Sequence, residues 1–324
     1  MPEPLWIYLM ALLYFTRVST CVTIAEAFEH TTHDCLTRML NGRWSGQRLL
    51  DVALRTLFTV AGGYLILDDT VVAKPYARWL GEAAWVWSNK DKKVIFGVSV
   101  VLLVWTDGQS RIPVSYRVWH KGGPSKYALA LELWSYARNR LQCKPQWVLC
   151  DAWYPSKALL KRLRDYGWYF VCQLKKNRRF DGKPLHRYLQ QPYWQAVGFL
   201  AGDMKVRVVK YRRKYYATNR LGLTAKEVRQ HYKIRHAVEE VIRTVKSQLG
   251  LESCQAGYRR RGTAATHPQP RVQEHHVALC LVAYLIVERE RLDRQLTWRQ
   301  CKRQLILKGM QHSLQALERV RKAA

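Results

Sequence analysis

From about residue 64 the apolar positions of this chain fall into short continuous runs, and these alternate with stretches of helical period. "YLILD" (64–68), "KVIFGVSVVLLVW" (93–105) and "IPVSYRVW" (112–119) read as β-strands. The last two are separated by "TDGQSR", whose Asp107-Gly108 pair suits a hairpin turn. "SKYALALELWSYARNRL" has the period of a helix, "QWVLCD" is an apolar strand, and "PSKALLKRLRDYG" is an amphipathic helix that Gly167 stops. "WYFVCQL" is a further strand. The order strand, strand, strand, helix, strand, helix, strand predicts a mixed α/β sheet with an early antiparallel meander.

The flanks have other patterns. Residues 4 to about 60 lack strand alternation and predict short helices; "VTIAEAFEHTTHDCLTRMLNG" reads as helix, turn and a second helix begun at Thr31 or Thr32. That arrangement suits either a DNA-reading helix-turn-helix or a plain helical hairpin. Residues 175–222 are polar and basic, with Gly182, Pro184, Pro192 and Gly202 as punctuation, and "MKVRVVKYRRKYYATNRL" predicts a β-hairpin. Thr224 with Glu227 forms a capping-box pattern, and a helix is expected to follow through His231–Gly250. The loop "YRRRGTAATHPQPR" precedes a last apolar helix near 272–290, and a basic helical tail follows.

Charge narrows the partner. The chain has 54 Lys and Arg against 24 Asp and Glu, a net charge of +30. A compact fold carrying that surplus repels itself unless a polyanion neutralises it, and nucleic acid is the expected polyanion. No membrane association is expected: the run "PLWIYLMALLYF" is too short to span a bilayer and lacks a signal-peptide pattern, so a cytoplasmic protein is expected. Eight cysteines occur without a C-x-x-C pair, several of them inside apolar runs, a pattern of buried free thiols. His275 and His276, beside "VALCLVAYLIV", read as the polar shoulder of a core helix.

Acids are scarce, so their positions carry information. Asp68 and Asp151 each end an apolar strand, the edge where open α/β sheets place their sites, although a strand-end Asp is also a common turn former. On a helix of about 100° per residue, Tyr232, Arg235, Glu239 and Lys246 line one stripe, whereas Glu240 is turned away by about 100°. The stripe holds one acid, a phenol and two cations, unlike either a core seam or an ordinary solvated face.

The spacing Tyr232, Arg235, Glu239, Lys246 resembles the Y-R-E-K signature of DDE-type insertion-sequence transposases, in the group named after insertion sequence four. "LDDT" and "CDAWYPS" match that family's first and second aspartates, and the resemblance covers roughly residues 60–290. It implies an RNase H-like catalytic domain with a β-rich insertion before the last catalytic helix. It implies Asp68, Asp151 and Glu239 as catalytic residues and ligands of two Mg²⁺ ions, for which Mn²⁺ can substitute, with Asp68 preferred over the adjacent Asp69. Three convergent carboxylates are what two-metal phosphodiester chemistry asks of a protein. Tyr232, Arg235 and Lys246 are then expected to hold DNA phosphates. Trp194, the one tryptophan of the insertion, is a candidate for base stacking, with packing as its alternative. The expected partners are double-stranded DNA, as terminal inverted repeats and target, and a second copy of the chain on paired ends. Localisation at the nucleoid is expected.

The expected organisation is a helical region over 1–60, a catalytic domain over 61–290 with its insertion at about 175–222, and a basic tail over 291–324. The function implied is cut-and-paste DNA transposition. Its rivals are a nuclease that cleaves without joining and a transposase-derived protein that binds DNA without cutting.

Overall fold

The computed structural model describes residues 3–15, 20–77, 80–88, 91–188, 191–200, 203–255 and 271–309. Most of the loop expected at 258–271 and the end of the basic tail lie outside them. The chain opens with four helices, α1 (Glu3–Tyr14), α2 (Cys21–Ala27), α3 (His33–Leu40) and α4 (Gly46–Leu57). There follow β1 (Tyr64–Ala73), β2 (Ala84–Ser88), β3 (Lys93–Thr106), β4 (Arg111–Trp119), α5 (Lys126–Asn139), β5 (Trp147–Cys150), α6 (Lys157–Asp165) and β6 (Tyr169–Leu174). Strands β7 (Arg179–Phe180), β8 (Lys183–Pro184), β9 (Tyr193–Leu200), β10 (Met204–Tyr211) and β11 (Lys214–Thr218) fill the predicted insertion. Helices α7 (Ala225–Lys233), α8 (His236–Gln248), α9 (Val272–Arg294) and α10 (Trp298–Gly309) complete the described chain.

Two compact units form. Residues 59–70 and 100–241 make one, and residues 1–58, 71–99 and 242–324 the other. In the first, the strands lie in the order β3, β1, β5, β6, β11, β10, β9, β7, β8, with β4 on β3. This is a mixed α/β sheet, as expected from the sequence. Strands β1, β5 and β6 are parallel neighbours, and β6 pairs antiparallel with β11. The centre of the sheet is apolar on both faces: Leu65, Ile66 and Leu67 of β1 and all of β5 are buried. Side chains of Ser125, Ser156 and Thr224 cap the N-termini of α5, α6 and α7, each accepting the third helical N–H. Each such cap is worth about 0.5–2 kcal/mol. At α7 the expected capping box with Glu227 is complete. Asp107 and Gly108 make the predicted turn: the Asp107 carboxylate accepts the amides of Gln109 and Ser110, and Gly108 takes φ 104°.

The other unit is built on α9, an apolar helix that packs against α1, α3, α4 and α10. Strand β2 pairs antiparallel with the first residues of β3. Among the described residues, no helix is long and apolar enough to cross a membrane.

Two local expectations require correction, and one strand was not foreseen. Strand β1 runs on to Ala73, so Asp68, expected to end it, lies within the strand. "AWVWS", to which the sequence reading assigned no element, is β2; its alternate Trp85 and Trp87 are exposed, so the inward–outward pattern is the reverse of a buried strand. The helix expected through 231–250 is two helices. At the junction, Ile234, Arg235, Ala237 and Val238 donate to carbonyls three residues back instead of four. No glycine or proline marks this break. It falls at Arg235, whose side chain is engaged by carboxylates.

His275 and His276 are fully buried on α9, as the sequence pattern implies. His276 Nδ1 accepts the Tyr8 hydroxyl at 2.9 Å, and Nε2–H donates to the Gly250 carbonyl at 3.1 Å. Both nitrogens are therefore satisfied in the neutral ring. Burial, with the nearby Lys74 charge, pushes its pKa down to about 3. The unfolded chain binds this proton below about pH 6.5 while the fold refuses it, so stability is present above that pH and is lost as pH falls toward 3. Between pH 7 and 4.5 the wild type should lose about 2–3 kcal/mol more than His276→Gln. Urea unfolding at the two pH values measures the difference; parallel losses would remove His276 as the cause.

Candidate active site

Register brings the first two carboxylates together. Leu67 of β1 lies opposite Cys150 of β5 in the parallel ladder, so the next residues, Asp68 and Asp151, emerge at the same level of neighbouring strands. Adjacent strands are about 4.8 Å apart. Burial, together with the negative charges of Asp151 and Asp69, pushes the Asp68 carboxyl up to about 7, opposed by Arg235. Asp151 is also raised, mainly by burial, while the amides of Trp153 and Tyr154 pull it down.

Glu239 reaches this edge from the first turn of α8. Arg235 Nη1 donates to Asp68 Oδ2 at 2.6 Å, and Nη2 donates to Glu239 Oε1. One guanidinium thus spans two of the three predicted carboxylates, and its charge also acts on Asp151. His236 Nδ1 lies 2.9 Å from the other Glu239 oxygen. Glu240 points elsewhere, as its register predicts, and pairs with Arg111.

Asp69 is engaged separately. Its carboxylate accepts Lys126 Nζ at 2.5 Å and the Tyr154 hydroxyl at 2.8 Å. Asp68 and Asp69 thus have distinct partners, and only Asp68 is joined to Glu239 through Arg235.

The other predicted site residues scatter by environment. Tyr232 rests its ring 4.8 Å from Tyr216, and its hydroxyl donates to Gln173 Oε1 at 3.4 Å. Lys246 Nζ donates to the Val71 carbonyl at 2.5 Å and pairs with Glu252 at 3.0 Å. Trp194 sits in an aromatic cluster with Tyr188 at 5.1 Å and Phe180 at 6.0 Å.

Sequence reading missed several neighbours of the site. Lys126 and Tyr154, which hold Asp69, are far from it in sequence; only "CDAWYPS" placed Tyr154 near an acid. The Tyr127 and Trp153 rings stack 4.4 Å apart, and the Trp153 amide donates to Asp151 Oδ1. They border a cavity of about 480 Å³ that Lys157, Lys175, Arg178 and Arg179 also line. A second cavity, of about 450 Å³, is lined by Arg212, Arg213, Lys214, Arg229 and Lys233 with Tyr211, Tyr216 and Tyr232, and by no acid. The basic alternation of 204–221 was the available signal for it.

The donor set suits a hard divalent cation: carboxylate oxygens only, two of them on one sheet edge and calling for positive charge. In this structure that charge is Arg235. Among the described residues, no three Asp, Glu, His or Cys side chains converge closely enough to enclose a metal ion.

The arrangement is a cluster of acids on neighbouring strands of a mixed α/β sheet and on a helix, two of them joined by one guanidinium. A model of the transposase DDE domain matches residues 62–266 of the chain, and the chain belongs to that family. It is a DNA transposase, an enzyme of strand cleavage and transfer. Among solved structures, the piggyBac transposase synaptic complex with hairpin DNA is 11% identical, with 94% of this chain and 70% of that one covered at a TM-score of 0.56. That likeness shows the fold. The catalytic domain of human endonuclease V (14% identity, 63% and 96% coverage, TM-score 0.31) superposes too loosely to bear on function. The same holds for the Mos1 strand transfer complex (18% identity, 50% and 56% coverage, TM-score 0.22). No curated protein matches the chain.

Proposed function

We propose that this transposase excises and inserts insertion-sequence ends by a cut-and-paste route that depends on Mg²⁺, with Asp68, Asp151 and Glu239 as the metal-holding carboxylates. The observation that carries this reading is the meeting of Asp68 and Glu239 on one guanidinium, with Asp151 in register on the adjacent strand. When bound there, divalent ions supply an activated water and a charge sink for the leaving oxygen. The chain's own residues fix the geometry. The parallel ladder sets Asp68 beside Asp151, and the Trp153 amide orients Asp151. Lys126 and Tyr154 hold Asp69 clear of the other acids.

Double-stranded DNA is the proposed substrate, bound by the cationic surplus, with a second copy of the chain on the paired end. Tyr232 and Arg235 would face phosphates near the cut; Lys246 would reach one by exchanging Glu252 for it. Membership of the transposase family supports transposition over simple nuclease action, and the piggyBac protein that shares the fold is itself a transposase held with hairpin DNA. Incubating the protein with Mg²⁺ and a labelled duplex carrying the element's end tests the reading. Cleavage followed by joining to a target is the expected result; cleavage without joining would make it a nuclease.

Binding should depend steeply on salt. A protein neutralising roughly 6–10 phosphates loses about 10³–10⁵ in affinity between 50 and 200 mM salt. A filter-binding titration across that range measures the slope, and a flat response would mean that the +30 charge serves another partner.

A further inference from the structure

We infer, on the metal-site reading above, that Arg235 is a positioning residue whose guanidinium competes with a divalent ion for the Asp68 and Glu239 carboxylates and so ties metal uptake to DNA. The guanidinium is largely buried, 17% exposed, against an Asp68 that is 16% exposed. Its planar fork serves Asp68 and Glu239 at once, a task a lysine ammonium cannot perform in the same geometry. The neighbouring charges have other partners: Lys126 is on Asp69, Arg111 is on Glu240, and His236 is on the far oxygen of Glu239. Arg235 is thus the cation bonded to Asp68.

A divalent ion needs the oxygens that Arg235 now occupies. Once those oxygens turn to the ion, the guanidinium is left enclosed beside like charge and without its acceptors, an unfavourable state for a buried cation. A DNA phosphate is the acceptor that relieves it, because a phosphate takes the same two-pronged donation that the carboxylates gave up. Metal without DNA is therefore disfavoured, and each ligand favours the other. Such coupling is reciprocal and typically amounts to about 5–150-fold in affinity. The break between α7 and α8 at Arg235 belongs to the same device, since it is the backbone that carries the shared side chain. The consequence is an enzyme that loads metal at the DNA end and not before.

The test is Mn²⁺ binding by the full chain, read from the paramagnetic resonance of free Mn²⁺, with and without a random-sequence duplex. In the wild type the duplex should tighten Mn²⁺ at least about fivefold. Arg235→Ala should bind Mn²⁺ more tightly than the wild type without DNA and should lose the gain from DNA. Asp68→Asn is the control for the metal reading, and it should weaken Mn²⁺ with or without DNA. If Asp68→Asn weakens binding while Arg235→Ala is unchanged or weaker and DNA acts equally on both, Arg235 is only structural and the inference falls with the metal site intact. If Asp68→Asn leaves Mn²⁺ binding untouched, the metal reading itself fails. The wild-type comparison needs no variant to fold: a duplex that leaves Mn²⁺ affinity unchanged overturns the coupling by itself.

Discussion

Glu239→Gln should lower Mg²⁺-dependent cleavage of a DNA end by at least about 10³-fold while DNA binding survives, a rise of about 4 kcal/mol in the barrier at about 1.36 kcal/mol per decade. Glutamine keeps the size of the side chain, and its one carbonyl oxygen can still accept from Arg235 while its NH2 takes the place of the oxygen that faces His236. It removes the negative charge that a divalent ion requires. Glu240→Gln is the matched control, one residue along the same helix. Its carboxylate pairs with Arg111, and both side chains are about one-third exposed. Pairs in that setting contribute about 0–1 kcal/mol, so the rate should stay within a few-fold. The two variants are compared on one labelled end at matched folded concentration. A dead Glu240→Gln beside an active Glu239→Gln would mean that the wrong face of α8 had been assigned to the site.

That face was legible from the spacing of Arg235, Glu239 and Lys246, although the fourth residue of the stripe, Tyr232, stands on α7 before the break. Asp151 was legible as a strand-end acid, because the apolar run "WVLC" stops just before it; Asp68, expected to end its strand, lies within β1, which runs on to Ala73. What escaped was decided by partners distant in the chain. Glu240 finds Arg111 from a different part of the sequence, which helix spacing cannot show. Helices α7 and α8 part at Arg235, whose side chain Asp68 and Glu239 engage, and no local breaker records it. Lys246 looked like a free cation on a stripe, yet the Val71 carbonyl and Glu252 hold its ammonium. Strand β2 was missed because its two exposed tryptophans imitate neither a buried run nor a polar-out strand. Alternation predicts a face, and tertiary contacts decide what meets it.

The adjacent acids Asp68 and Asp69 give the second large expected effect, because sequence alone leaves them nearly interchangeable. Asp68→Asn should abolish cleavage, by at least about 10³-fold on the same scale, since it removes the carboxylate charge nearest Glu239 and in register with Asp151. Its amide can still accept the Asp69 N–H, so the strand should hold its shape. Asp69→Asn should act mainly on stability. The lost charge leaves Lys126, 20% exposed, without its carboxylate and gives the buried Tyr154 hydroxyl a weaker acceptor. Removing one partner of such a buried polar contact costs about 1–3 kcal/mol. Both variants should lower the melting temperature, since Asp68→Asn likewise gives the largely buried Arg235 a weaker acceptor. Cleavage reduced about tenfold or less is the expected signature of Asp69→Asn, and no cleavage that of Asp68→Asn. End cleavage, measured beside thermal denaturation on the same preparations, separates the two. If the signatures were exchanged, Asp69 would be the metal-holding acid, and Lys126 rather than Arg235 would be the cation standing in its place.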